Sequence, residues 1–295
     1  MSSNIVLVTI FIKLKKIRYF YCVKEKEMDN LLLLIKKLRK RTGSGLMDCK
    51  QALMRSNGDL NKAIDYLRTS GMCLALNKVS NKTKEGCVFY FINNSYGFLL
   101  ELNAETDFVT NTIEFKKFGQ DLVNYAGQKN IDDISVLKTI FEKQRLQLIS
   151  QVSENIIIHR IKRISGNNIV AYIHMNKIGV LVGSSLVHLS LTQKECMKNI
   201  AMHIVAANPL CLRKEGIPKS IMDHELSIQT KVARKIGKPF LLLDRIIAGR
   251  MKKFINNNTL LNQNFAMDTK KSVQAYLKEY NVVLSNFIRL QVGVK

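Results

Sequence analysis

The chain has 295 residues, 46% hydrophobic and 23% charged, a globular composition with length for two or three structural units. Its 46 Lys and Arg face 23 Asp and Glu, a formal charge of +23. That excess admits either a nucleic-acid or membrane-surface partner or a general bias toward lysine, and the scatter of basic residues over every predicted element favours the bias over a dedicated charged face.

Residues 1–27 do not fit the rest. Ile5–Ile12 is too short to span a bilayer, and its positive charges follow the apolar stretch instead of preceding it as in a secretory signal. The expectation is an extension outside the fold, with Met28 as the functional start; an organellar presequence is the alternative. Over 28–81 the pattern is three short helices. Leu31, Leu34, Ile35 and Leu38 recur at helical spacing. Thr42-Gly43-Ser44-Gly45 breaks the stripe, and a second helix starts near Leu46 and buries Leu46, Cys49 and Leu53. It stops at Asn57-Gly58, and Asp59 caps a third helix carrying Leu60, Ala63, Ile64 and Leu67 that Gly71 ends.

From 82 to 167 the reading is a hairpin of two strands, Cys87–Ile92 and Tyr96–Leu102, around an Asn-rich turn. A loop, Asn103–Asn111, leads into a helix with Phe115, Phe118 and Leu122, and another helix spans Ser135–Val152. The second half of the chain, with 168–295 as its own subdomain, repeats the grammar. Strands over Asn155–Ile164, Ile169–His174 and Ile178–Val187 precede a helix over Thr192–Ala207 that ends before Pro209. An insertion at about 210–254 reads as an antiparallel helical hairpin with a seam of Ile221, Ile228, Val232 and Ile236, turning at Gly237-Lys238-Pro239. A last helix over Asp268–Tyr280 and a last strand over Val282–Val292 follow. The fold class is α+β: a duplicated unit with two antiparallel sheets after a helical domain.

Six cysteines make no C-x-x-C pair and share no metal-ligand spacing with the five histidines, so free thiols in a reducing cytosol are expected. No phosphate-binding loop, dinucleotide fingerprint, nucleophile elbow or H-E-x-x-H occurs. No catalytic residue, metal ligand or cofactor is assigned, and the weight falls on a binding protein. Taken alone, Asp107 reads as a loop or capping residue and Phe108, Met47 and His203 as core residues.

Several blocks occur in a fixed order. They are Leu38-Arg39-Lys40-Arg41-Thr42-Gly43-Ser44-Gly45-Leu46-Met47-Asp48-Cys49-Lys50-Gln51-Ala52-Leu53, then Glu105-Thr106-Asp107-Phe108-Val109, then Glu154-Asn155-Ile156 with Arg160. Ile178-Gly179-Val180-Leu181-Val182, Ile200-Ala201-Met202-His203-Ile204 and Gly249-Arg250-Met251-Lys252-Lys253-Phe254 complete the set. The ordered set resembles the bacterial elongation factor Ts family. Where that family has a pair of arginines after its Glu-Asn-Ile block, this chain has His159-Arg160. The resemblance implies a ubiquitin-associated-like three-helix domain, a core of two related subdomains and a protruding helical hairpin. It implies a cytoplasmic guanine nucleotide exchange factor whose partner is elongation factor Tu, with no membrane and no specific nucleic acid. By the same resemblance Thr106, Asp107, Phe108 and Val109 enter the GTPase beside its magnesium site. Lys36, Arg39, Leu46, Met47 and His174 are implied as further partner contacts. A basic nucleic-acid-binding protein with a small helical module is the alternative.

Overall fold

The computed structural model describes residues 30–78, 80–93, 95–235 and 240–294. The contacts divide the chain into two compact units, one reaching to Lys82 and taking in Glu142–Ile156, the other made of Thr83–Phe141 and Ile157–Lys295.

The first unit holds helices α1 (30–42), α2 (Leu46–Arg55) and α3 (Leu60–Lys78). Ile35, Leu38, Cys49, Ala52, Leu53, Ala63 and Leu67 form its core. Local chemistry sets the joints. Gly43 (φ 71) and the pair Asn57 (φ 49) and Gly58 (φ 81) take left-handed conformations at helix ends, and the Asp59 carboxylate accepts from the amides of Asn61 and Lys62. Two expectations fail here. Leu46 is 48% exposed and so lies outside the core. Gly71 does not stop α3, which runs to Lys78; a Cβ on Gly71 would sit 2.0 Å from the Ser150 hydroxyl, so the glycine permits a close approach inside a continuing helix.

The second unit is built on two three-stranded sheets. β1 (Glu85–Ile92), β2 (Tyr96–Ala104) and β3 (Ile156–Ser165) form one, in the order β1-β2-β3. β4 (Asn168–His174), β5 (Ile178–Ser184) and a last strand, Leu284–Gln291, form the other around β5. β3, read with the second half from sequence, joins the first sheet. The sheets share a buried cluster of Val88, Leu99, Ile164, Ile169, Leu181 and Leu290, one residue from each strand. Helices cover the outer faces. After a single helical turn, α4 (Asp107–Thr110), α5 (Ile113–Lys129) packs Phe115 beside Phe89, their ring centroids 6.5 Å apart. α6 (Ile134–Val152) follows, and α7 (Leu191–Ala207) packs Met197, Ile200 and Ile204 with Val180 and Val182 of the second sheet. Asn208 in a left-handed conformation ends α7 ahead of Pro209, as expected. β2 and β5, central and covered on both faces, are buried almost throughout, which is why they read as unbroken apolar runs.

The insertion is a helical pair, α8 (Lys219–Lys235) and α9 (Phe240–Asn258); the expected turn at Gly237–Pro239 and the seam residue Ile236 lie outside the described residues. The seam is displaced by one residue. Ile221, Ile228 and Val232 are exposed, while Met222, Glu225, Gln229 and Ala233 are half-buried or buried. Polar groups there satisfy one another: Gln229 donates to Glu225 at 2.7 Å and accepts from Arg250 at 3.3 Å. Towards the end, Asp268–Ser272 is not helix but β7, paired with β6 (Asn264–Phe265). α10 (Val273–Glu279) starts only after Ser272, whose hydroxyl accepts from the Ala275 amide, and β8 is the Leu284–Gln291 strand named above.

Candidate functional site

The segment expected to be a loop, Asn103–Asn111, is more ordered than that. β2 runs on to Ala104, and residues 107–110 close one helical turn. Thr106, extended at φ −124, precedes the turn; the Thr110 hydroxyl donates to the Asp107 carbonyl at 2.9 Å and the Asn111 amide to the same oxygen at 3.1 Å. Val109 and Thr110 are buried, and the Cys87 thiol donates to the Thr110 carbonyl at 3.7 Å. The Thr112 hydroxyl donates to the Val109 carbonyl and, as cap of α5, accepts from the Phe115 amide. With its inner side fixed in this way, α4 presents Asp107 and Phe108 outward, and the Phe108 ring is 82% exposed.

A second feature is anchored to the same stretch of β1. β4 and β5 are joined by Met175, Asn176 and Lys177. The Lys177 amide donates to the His174 carbonyl at 3.0 Å, the Val88 amide donates to the Asn176 carbonyl at 2.8 Å, and the Lys177 ammonium pairs with Glu85. Cys87 thus holds α4 and its neighbour Val88 holds the turn. His174 is half-buried, its Nδ1 3.4 Å from the Tyr172 hydroxyl. The turn carrying Asp107 and Phe108 and the turn that follows His174, distant from it in sequence, are thus held by adjacent residues of β1, Cys87 and Val88.

In the first unit Lys36 and Arg39 are exposed on α1, and Met47 is 69% exposed at the start of α2. They lie on the solvent side of the helices whose inner side carries Ile35, Leu38 and Cys49.

Two other polar features lie away from the candidate site, and the first was invisible in the sequence. Glu101, inside the apolar run of β2, is fully buried against Arg160. The only signal was one carboxylate in an otherwise apolar strand. His203 is buried as expected of a core histidine: the Ala266 amide donates to Nδ1 at 3.1 Å, so Nε2 carries the proton and donates to Gln263 at 2.9 Å. Burial pushes its pKa below the usual histidine range. The thiols of Cys49, Cys87, Cys196 and Cys211 are free, and burial raises all four, that of Cys196 to about 11. Among the described residues no group of His, Cys, Asp and Glu could hold a metal, and no helix is long and apolar enough to cross a membrane.

A small three-helix bundle followed by paired antiparallel sheets with covering helices and an inserted helical pair defines a mixed α+β protein of the class the ordered sequence blocks resemble. A family model described as elongation factor TS matches residues 105–294. Proteins named elongation factor Ts align over 88% of the chain: one from Buchnera aphidicola subsp. Cinara cedri is 47% identical over 95% of its own length. One from Buchnera aphidicola subsp. Acyrthosiphon pisum (strain 5A) is 45% identical over 95% of its length, and one from Yersinia pestis (strain Pestoides F) 40% identical over 90%. The chain belongs to the elongation factor Ts family, the translation elongation factors of the exchange-factor class.

Proposed function

We propose that this protein acts in the cytoplasm by binding elongation factor Tu in its GDP-bound form and promoting GDP release, with α4 working against the magnesium site of that GTPase. The observation that carries this reading is Phe108: a phenylalanine left 82% exposed on a helical turn whose other side is fixed by Val109, Thr110 and the Cys87 thiol. A large aromatic side chain presented outward is the kind of residue that serves as an interface anchor. On a rigid mount it loses little entropy on docking. Asp107 beside it supplies a carboxylate, His174 a ring ahead of the turn that Val88 holds. Lys36, Arg39, Leu46 and Met47 offer a second, mixed apolar and basic patch on the three-helix unit. Thr106 leads into the turn, and Val109 holds it from the buried side. We extend the reading to the folding units: residues 28–81, 82–167 and 168–295 with the hairpin at about 210–254; the call on residues 1–27 lies outside the described residues.

Exchange requires the factor to bind the nucleotide-free partner more tightly than the GDP-bound one, by the same factor as it weakens GDP. A ten-thousandfold acceleration corresponds to about 5.5 kcal/mol at about 1.4 kcal/mol per decade. One buried aromatic anchor supplies about 2–4 kcal/mol, so Phe108 accounts for part and the remaining contacts for the rest. The test is release of labelled GDP from elongation factor Tu with and without the protein. Acceleration at substoichiometric amounts is expected; an unchanged rate, with RNA bound in a steeply salt-dependent way, would instead favour the nucleic-acid-binding reading.

A further inference from the structure

Met175 is in an unusual place. Its φ is 48°, in the left-handed region, and its side chain is 79% exposed. The other left-handed residues besides glycine among the described residues are Asn57, Asn130, Asn176, Asn208 and Asn281, with Ser153. All of these are short and polar. That is the ordinary pattern, because a small polar side chain can hydrogen-bond locally in this conformation while a larger one crowds the following carbonyl. A succession of two left-handed residues at a strand turn is best met by an Asn-Gly pair. Here the first position carries instead a long apolar side chain, which gains nothing from the backbone conformation and nothing from burial. Two separate disadvantages, strain and exposure, fall on one residue at the tip of a turn.

The turn is also held still. Asn176 accepts from Val88, Lys177 pairs with Glu85, and the preceding residue is His174. Val88 follows Cys87, which anchors the turn carrying Phe108, so the two mounts rest on residues with Cα atoms about 3.8 Å apart. Methionine is a flexible, polarizable side chain that fits itself to an apolar surface.

We propose that Met175 is a second apolar anchor of the docking surface formed by Phe108 and His174, seated against an apolar depression on the GTPase partner; the inference rests on the function proposed above. Its energetic signature is opposite to that of a core residue. Met175→Gly relieves the left-handed strain and removes an exposed apolar group, so the free protein gains stability while the docked complex loses a contact. The experiment measures the urea midpoint of the full chain and the rate of GDP release from elongation factor Tu at a subsaturating factor concentration, for the wild type, Met175→Gly, Met175→Asn and Phe108→Ala. A raised midpoint with release slowed at least threefold in both Met175 variants supports the assignment. Unchanged release in those variants, with Phe108→Ala slow, overturns it and leaves the exchange reading standing. A lowered midpoint in Met175→Gly overturns it too, by showing that the side chain packs within its own chain. If no variant, Phe108→Ala included, alters release, the exchange reading itself falls.

Discussion

Arg160 donates from Nε to a carboxylate oxygen of Glu101 at 2.6 Å, and the Glu101 side chain has no exposed surface. The same guanidinium donates from Nη2 to the Gln291 carbonyl at 2.8 Å, the Gly293 amide donates to the other carboxylate oxygen at 3.2 Å, and His159 stands 3.5 Å away. One buried charge thus ties β2 and β3 to the end of β8. Breaking a buried pair is costly when it strands a charge away from water. The two partners differ in this respect, because Arg160 retains 23% exposure and can be solvated. Arg160→Ala should therefore cost about 3 kcal/mol, and Glu101→Gln clearly less. Urea unfolding of both variants checks the order; equal losses would mean that the carboxylate finds another partner.

Phe108→Ala and Asp107→Ala remove side chains that the chain itself does not use. Each should change unfolding free energy by no more than about 0.5 kcal/mol, the ordinary range for exposed positions. Each should slow GDP release from elongation factor Tu, Phe108→Ala by an order of magnitude or more. A loss of about 3–5 kcal/mol on Phe108→Ala would be that of a buried phenylalanine and would contradict the exposed placement.

Two helical glycines should respond in opposite directions to alanine. Nothing lies within 4 Å of a Cβ placed on Gly249 in α9, so Gly249→Ala should stabilise by about 0.5–1 kcal/mol through helix propensity alone. On Gly71 the added methyl meets the Ser150 hydroxyl at 2.0 Å, and Gly71→Ala should destabilise by about 1–3 kcal/mol. Thermal melts of the pair decide it.

His203 gives a pH dependence with a definite sign. Its pKa is lowered in the folded protein by burial, so the unfolded chain binds the proton first as pH falls. The stability it contributes is complete above the unfolded value of about 6.5 and is lost as pH falls below it, at up to about 1.4 kcal/mol per pH unit. His203→Asn cannot titrate. The stability advantage of the wild type over this variant should shrink between pH 7 and pH 5 in parallel urea titrations; a constant advantage would show that the ring does not titrate differently in the two states.

What the sequence determined by itself was local or carried by its own blocks. The Asn57-Gly58 stop, the Asp59 cap, the end of α7 at Asn208-Pro209, the apolar runs of β2 and β5 and the ordered family motifs all depend on neighbours a few residues away, so a linear reading reaches them. The candidate residues Asp107 and Phe108 were likewise named from their block, and His174 from the family resemblance. Tertiary structure decided where distant residues meet. Gly71 reads as a stop until Ser150 is placed against it. The α8 seam falls on Met222, Glu225, Gln229 and Ala233, where Arg250 from the facing helix bonds to Gln229, and the apolar row one residue away is left outside. Asp268–Ser272 pairs with β6 as β7, which confines the last helix to the residues after the Ser272 cap. Glu101 is an anomaly in its strand until Arg160 and Gly293 arrive from 59 and 192 residues away. Hydrophobic periodicity and capping are short-range free energies that the chain writes locally, whereas the pairing of buried charges and the spacing of packed backbones depend on contacts that exist only after the sheets have closed on each other.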